Sequence, residues 1–403
     1  MRENGAQRPE RVSWRRRPVR RTTARWSERS RVVRELRTDD VVDLACDLID
    51  IPSVSGDEKA IADAIEARLR RAPHLEVLRD GDAIVARTRL ARAHRVLIAG
   101  HLDTVPIVGN VPAVRCLVDG IDTVRGRGAV DMLGGVAVAL RAALLLDAPK
   151  HDVTWVFYDH EEVEASLNGL GRLMRNHPGL LDADFAILAE PTSAHIEGGC
   201  NGSVRVIATI PGKAAHSARS WRGDNAIHKA APVISRIASF GNPTVNVDGL
   251  DYRESLLVVA VSGGKAKNVV PDEVELVINY RFAPSKSADE AIALVASYFA
   301  GTGARIEVDD RSPGARPGAD SPIARDFIAH AGAIAEAHGQ ELRVVAKQGW
   351  TDVARFFDLG IPAVNFGPGD PLLAHTDEEA APAADMTRCL DALLAWLDDK
   401  EKE

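Results

Sequence analysis

The chain has 403 residues, 45% hydrophobic and 27% charged, which suits two or three folding units and excludes a fibrous or wholly disordered protein. Its net charge of −8 is uneven: residues 1–37 hold 13 Arg, no Lys and 4 Glu, a net of +9 that leaves −17 for the rest. So acidic a body argues against a nucleic-acid partner, and no apolar run is long enough for a membrane span; Val136–Leu146 is broken by Arg141.

The Arg-rich segment 1–37 shows no apolar periodicity and reads as a disordered arm. It could serve as a nucleic-acid tail, an organellar presequence or nothing at all, and it lacks the apolar stretch of a secretory signal. Helical periodicity begins near Asp39 with Val42, Leu44, Ala45, Leu48 and Ile49. Four cysteines, Cys46, Cys116, Cys200 and Cys389, lie far apart without a C-x-x-C pair. That spacing argues against a zinc finger or a disulfide framework and suits a reducing cytoplasm.

From residue 93 onward short β-branched runs alternate with helical stretches, the pattern of an α/β domain with a mostly parallel sheet. Arg95–Ala99, Val153–Tyr158, Phe185–Ala189 and Ile361–Phe366 read as buried strands. Met132–Leu146 reads as a helix whose Gly134-Gly135 pair permits a close backbone approach. Residues 203–310 change rhythm to β-α-β-β-α-β, a ferredoxin-like unit inserted into the larger domain. The expected organisation is an arm at 1–37, a catalytic domain at 38–202 and 317–403, and an insertion at 203–316.

Open parallel sheets bind ligands at the carboxyl ends of their strands. There the sequence offers His101 and Asp103, then Glu161 and Glu162, then Glu190, with Asp131 at the start of the helix. Several carboxylates and a histidine brought to one rim would repel one another unless divalent cations neutralised them. His375 supplies a further nitrogen ligand if the C-terminal segment folds back.

In order, Gly100-His101-Leu102-Asp103-Thr104-Val105-Pro106, Gly126-Arg127-Gly128-Ala129-Val130-Asp131-Met132, Asp159-His160-Glu161-Glu162, Glu190-Pro191 and Ala374-His375-Thr376 resemble the metal motifs of the co-catalytic zinc aminoacylase and carboxypeptidase (M20) family. The resemblance spans residues 40–398. Longer runs, including Ala215-His216-Ser217-Ala218-Arg219-Ser220-Trp221 and Gly349-Trp350-Thr351-Asp352-Val353-Ala354-Arg355-Phe356, resemble its branch that cleaves N-succinyl-LL-2,6-diaminopimelate.

The resemblance implies a zinc-exopeptidase-like catalytic domain, an inserted dimerisation domain, a homodimer and a small-molecule amide substrate. It implies two divalent ions, zinc with cobalt or manganese as alternatives. Asp131 would bridge them, with His101 and Glu190 completing one site and Glu162 and His375 the other. Asp103 would orient His101 through its second ring nitrogen, and Glu161 would act as general base. His216 would donate to the oxyanion of the partner subunit's site, while Asn268, Arg281, Ser203 and Thr351 would bind substrate. Arg281 has a second reading as a strand-edge salt bridge. N-Acetylornithine, N-acyl amino acids and dipeptides stand as alternative substrates, and a binding protein without turnover as the non-enzymatic alternative. Two departures bear on the substrate: Leu133 stands where many relatives have Lys, and Cys200-Asn201-Gly202 where others carry Arg.

Overall fold

Residues 35–398 are described by a computed structural model; the expected arm lies outside them up to residue 34. Within the described chain, Leu36 is already buried and Arg37 pairs with Asp47 at 2.9 Å, so the packed body begins slightly before residue 38. Asp40 accepts from the backbone of Val42 and Asp43 and so starts the Val41–Ile49 helix. Asn168, Asn225 and Ser321 cap later helices in the same way. Ser287 and Glu290 form a reciprocal capping box.

The central sheet has eight strands, in spatial order Glu76–Asp80, Ala83–Arg87, Asp152–Tyr158, Arg95–His101, Phe185–Leu188, Ala363–Asn365, Ile196–Gly198 and Val344–Ala346. Its middle four run parallel, as the alternating sequence pattern predicts. The antiparallel Glu76–Arg87 hairpin on one edge was not legible in that pattern. Such strands pair with a sequence neighbour and leave no helical crossover to announce them.

Helices Val41–Ile49, Leu133–Leu145, Pro322–Ala337 and Ala383–Leu397 bury one face around Trp155, Phe185, Phe327 and Trp396. The opposite face is covered by Gly169–Asn176 and Val353–Asp358. A β-carbon on Gly135 would lie 2.0 Å from the Ala189 carbonyl oxygen. Glycine there therefore lets the helix that follows Asp131 approach the strand end that carries Glu190.

The insertion forms a separate four-stranded antiparallel sheet, ordered Ser255–Gly263, Glu273–Phe282, Gly202–Pro211 and Arg305–Ser312. With helices Ala226–Ala238 and Ala288–Ser297 packed on one face, this is the ferredoxin-like order. Cys200 and Ala315 exchange backbone hydrogen bonds of 3.0 and 3.1 Å, closing entry and exit side by side. A hairpin, Thr244–Val247 with Leu250–Arg253, is an addition that the sequence pattern did not reveal. It packs back on the larger domain, where Tyr252 donates to the Gly198 carbonyl at 2.8 Å.

Candidate metal centre and active-site cleft

His101 closes the Arg95–His101 strand, Glu161 and Glu162 follow Asp152–Tyr158, and Glu190 follows Phe185–Leu188. Parallel strand direction brings these ends to one rim. Asp131 reaches the same rim two residues ahead of the Leu133–Leu145 helix. His375 arrives from the loop after Pro371–Leu373, in a left-handed backbone conformation with φ of 63°.

Each oxygen of Asp131 faces a different histidine: Oδ1 lies 3.1 Å from His101 Nε2 and Oδ2 lies 3.2 Å from His375 Nε2. His375 Nε2 is also 2.9 Å from Glu162 Oε1. Besides a His101–Glu161–Glu162 group, two triads result, His101–Asp131–Glu190 and Asp131–Glu162–His375, each with one donor atom per residue lying within 4.8 Å of the others. They share Asp131.

The electrostatics fit a site completed by cations. Burial, then the charge of Asp131, pushes Glu190 up to about 8. Burial also raises Glu161 well above the usual carboxylate range; His101 opposes this, while Asp352, Glu190 and Glu162 reinforce it. Asp131 goes the other way: burial would raise it, but hydrogen bonds to His101 and His375 hold it well below its ordinary value. The same contacts, to Asp131 and Glu162, push His375 up to about 10. One imidazole per triad with carboxylate oxygens suits zinc, cobalt or manganese.

Asp103 is fully buried and does two things. Its backbone carbonyl, rather than its carboxylate, lies 2.9 Å from His101 Nδ1; the nearer carboxylate oxygen is at 3.6 Å. The carboxylate accepts instead from the Glu161 and Glu162 amides at 2.9 and 3.0 Å and from Ser55 Oγ at 2.7 Å. One residue thus orients the first histidine and fixes the turn that carries both glutamates.

The rim opens into a cleft of about 720 Å³ between the catalytic sheet and the insertion. Asp131, Glu161, Glu162, Glu190 and His375 line one side, and Ser203 and Arg281 the other. Five expected residues are absent from its lining: His101 and Asp103, both buried, and Thr351, His216 and Asn268. Thr351 is buried and donates its hydroxyl to Asn365 at 3.0 Å. His216 and Asn268 are exposed on the insertion and sit together, tied by the Ser217 amide donating to the Asn268 carbonyl at 2.8 Å.

Residues 97–399 match peptidase family M20/M25/M40. The chain belongs to that family. It is 49% identical over 359 residues to a provisionally named succinyl-diaminopimelate desuccinylase, DapE, of Mycobacterium tuberculosis, covering 89% of this chain and 98% of that protein. It is 44% identical over 360 residues to the succinyl-diaminopimelate desuccinylase of Corynebacterium glutamicum, covering 87% and 94%. Among solved structures it resembles aminopeptidase PepT of Bacillus cereus with a TM-score of 0.72 at 19% identity, covering 90% of this chain and 98% of that one.

Sequence reading missed a second buried layer behind the candidate centre. Glu379 accepts from the Val130 and Asp131 amides, both at 2.9 Å, and from Arg127 at 3.0 Å. Only its position four residues beyond His375 could have drawn attention to it. Lys347, also buried, donates to the Pro191 carbonyl at 3.0 Å and pairs with Glu197 at 2.8 Å, so a cation does stand behind Glu190. Leu133, the first of the two departures, is packed at 1% exposure in the first turn of its helix. In the other departure, Asn201 donates to the Arg253 and Gln348 carbonyls, a structural role at the entry to the insertion.

Proposed function

We propose that the protein is a metal-dependent amidohydrolase that converts N-succinyl-LL-2,6-diaminopimelate and water into succinate and LL-2,6-diaminopimelate. The observation that carries the chemistry is the pair of triads sharing Asp131, with Glu161 beside them. Likeness to two named desuccinylases across almost their whole length supports the substrate.

Two divalent ions, zinc with cobalt or manganese as alternatives, would be held by His101, Asp131 and Glu190 and by Asp131, Glu162 and His375. Bound there, such ions supply Lewis acidity that lowers the pKa of water and polarises an amide carbonyl. The chain's own residues do the rest. Glu161 takes the proton from the attacking water as its oxygen bonds to the amide carbon. It returns that proton to the leaving nitrogen as the carbon–nitrogen bond breaks. Burial and the neighbouring carboxylates raise Glu161 in the metal-free site, and the two cations would act against that rise. Asp103 keeps Glu161 in register through the backbone. Arg281 offers a planar fork to a substrate carboxylate, and Ser203 a hydroxyl in the same cleft.

His216 and Asn268 are proposed to act in the partner subunit of a homodimer. The Ser255–Gly263 strand supports this: it is a sheet edge with Leu257, Val259 and Val261 exposed by 54, 55 and 56%. A long apolar edge is a template for pairing with another chain. A cytoplasmic setting is proposed from the biosynthetic reaction and four unpaired cysteines. Among the described residues no helix is long and apolar enough to cross a membrane.

The test is a side-by-side assay of the zinc-loaded protein on N-succinyl-LL-2,6-diaminopimelate and N-acetylornithine. Preferential release of succinate supports the proposal. Preferential release of acetate would replace it with a deacetylase.

A further inference from the structure

One face of the inserted sheet is covered by helices and buries Val204, Val206, Ile278 and Tyr280. Alternation turns the residues between them to the other face, toward the cleft. There Arg281, Ser203 and Ser312 are paired straight across three strands, and Asp310 is paired with Arg205 one step along. Next to Asp310 the register shifts, and Asp309 forms an ion pair with Arg205. All six residues line the cleft that contains Glu161 and the two triads.

Arg205 and Asp309 answer each other's charge. Arg281 and Asp310 do not: among the described residues neither makes a side-chain hydrogen bond or an ion pair, and both are partly buried. They still feel one another, because burial lowers the Arg281 guanidinium below its usual value while Asp310 acts to raise it. A partly buried cation and anion that feel each other's charge but make no direct hydrogen bond or ion pair leave free energy that a ligand can recover by pairing with both. A guanidinium fork matches a carboxylate, and a carboxylate accepts from an ammonium.

We propose that Arg281 and Asp310 together form a clamp for a free α-amino acid group, Arg281 binding its carboxylate and Asp310 its ammonium, at the end of the substrate that is not cut. The inference rests on the desuccinylase reading, in which the substrate carries such a group at its far α-carbon. It names Asp310 as a specificity-determining residue. N-Acetylornithine presents an amine there without a neighbouring carboxylate, and a simple N-acyl amino acid presents neither. The clamp therefore selects among amides that the metal centre treats alike.

The experiment compares kcat/KM for N-succinyl-LL-2,6-diaminopimelate and for N-succinyl-L-2-aminopimelate, in which hydrogen replaces the far ammonium. The unaltered protein and Asp310→Asn are assayed with metal content shown to be equal. The unaltered protein should prefer the substrate bearing the ammonium, and Asp310→Asn should reduce that preference by at least about tenfold, mainly through KM. Asp310→Glu, which restores the charge, should recover part of it. Asp310→Ser, measured alongside, gives the same comparison if the asparagine chain folds poorly. An unchanged preference in Asp310→Asn or Asp310→Ser overturns the clamp while leaving the desuccinylase reading intact. Failure of the unaltered, metal-loaded protein to cleave N-succinyl-LL-2,6-diaminopimelate overturns both.

Discussion

Arg127 donates to Glu379 across 3.0 Å in a pair that is 3% and 1% exposed, and this contact joins the two loops that carry Asp131 and His375. Arg127 also donates to the Thr376 carbonyl at 3.0 Å, beside His375, while Glu379 holds the Asp131 amide. Removing one partner strands the other charge in the interior, at a cost of about 3–5 kcal/mol. Arg127→Met should therefore lower the melting temperature and leave less than two ions per chain after dialysis. Elemental analysis and a thermal melt check both. Unchanged stoichiometry would mean that the pair supports the fold without supporting the centre.

Proton release on metal binding follows from the shifted groups. In the metal-free protein His375 is pushed up to about 10 and Glu190 to about 8, so both hold protons at pH 7 that a cation must displace. Metal affinity should rise with pH, because binding displaces protons from His375, Glu190 and His101, whose buried imidazole is also raised well above its ordinary value. Calorimetry in buffers of different ionisation enthalpy counts them. The sign for stability is opposite at His375. Its raised value stabilises the metal-free fold fully below pH 6.5, and that contribution is lost as pH rises through about 10.

Gly135→Ala probes how closely the helix must approach Glu190. The added β-carbon would meet the Ala189 carbonyl oxygen at 2.0 Å, so backbone has to move. Such overpacking costs typically about 1–3 kcal/mol. Weaker binding of one ion, with a lower melting temperature, is the expected result in a paired titration and melt.

Much of the fold was readable because the parallel strands are continuous apolar runs and the insertion follows a strict element order. Four of the five proposed metal ligands were readable because each stands at the end of such a strand or just ahead of a helix; His375 lies in a loop and was readable only from its short motif. The Asp103 carboxylate and Glu379 were not, since both work through backbone amides that no side-chain motif records. Thr351 stands apart from the other proposed substrate-binding residues, because its hydroxyl donates to Asn365 within the core. The short antiparallel hairpins at Glu76–Arg87 and Thr244–Arg253 escaped because they lack both helical crossovers and long apolar runs.

The dimer reading can be tested by mixing two inactive proteins. Glu161→Gln keeps the size of the base but cannot take the proton, and should lose about 10²–10⁴-fold in turnover with its metals retained. His216→Ala should also lose turnover without losing metal. If His216 serves the partner's site, hybrid dimers formed after demonstrated subunit exchange should regain activity in one of their two sites. A mixture no more active than its components would rule out action between subunits.

The most direct test of the central claim is a zinc titration of chelator-stripped protein, followed by succinate release from N-succinyl-LL-2,6-diaminopimelate. Two triads sharing Asp131 predict almost no release from the stripped protein and activity that reaches its plateau at about two ions per chain. Full activity without added metal, or a plateau unaffected by Asp131→Ala, would contradict the account.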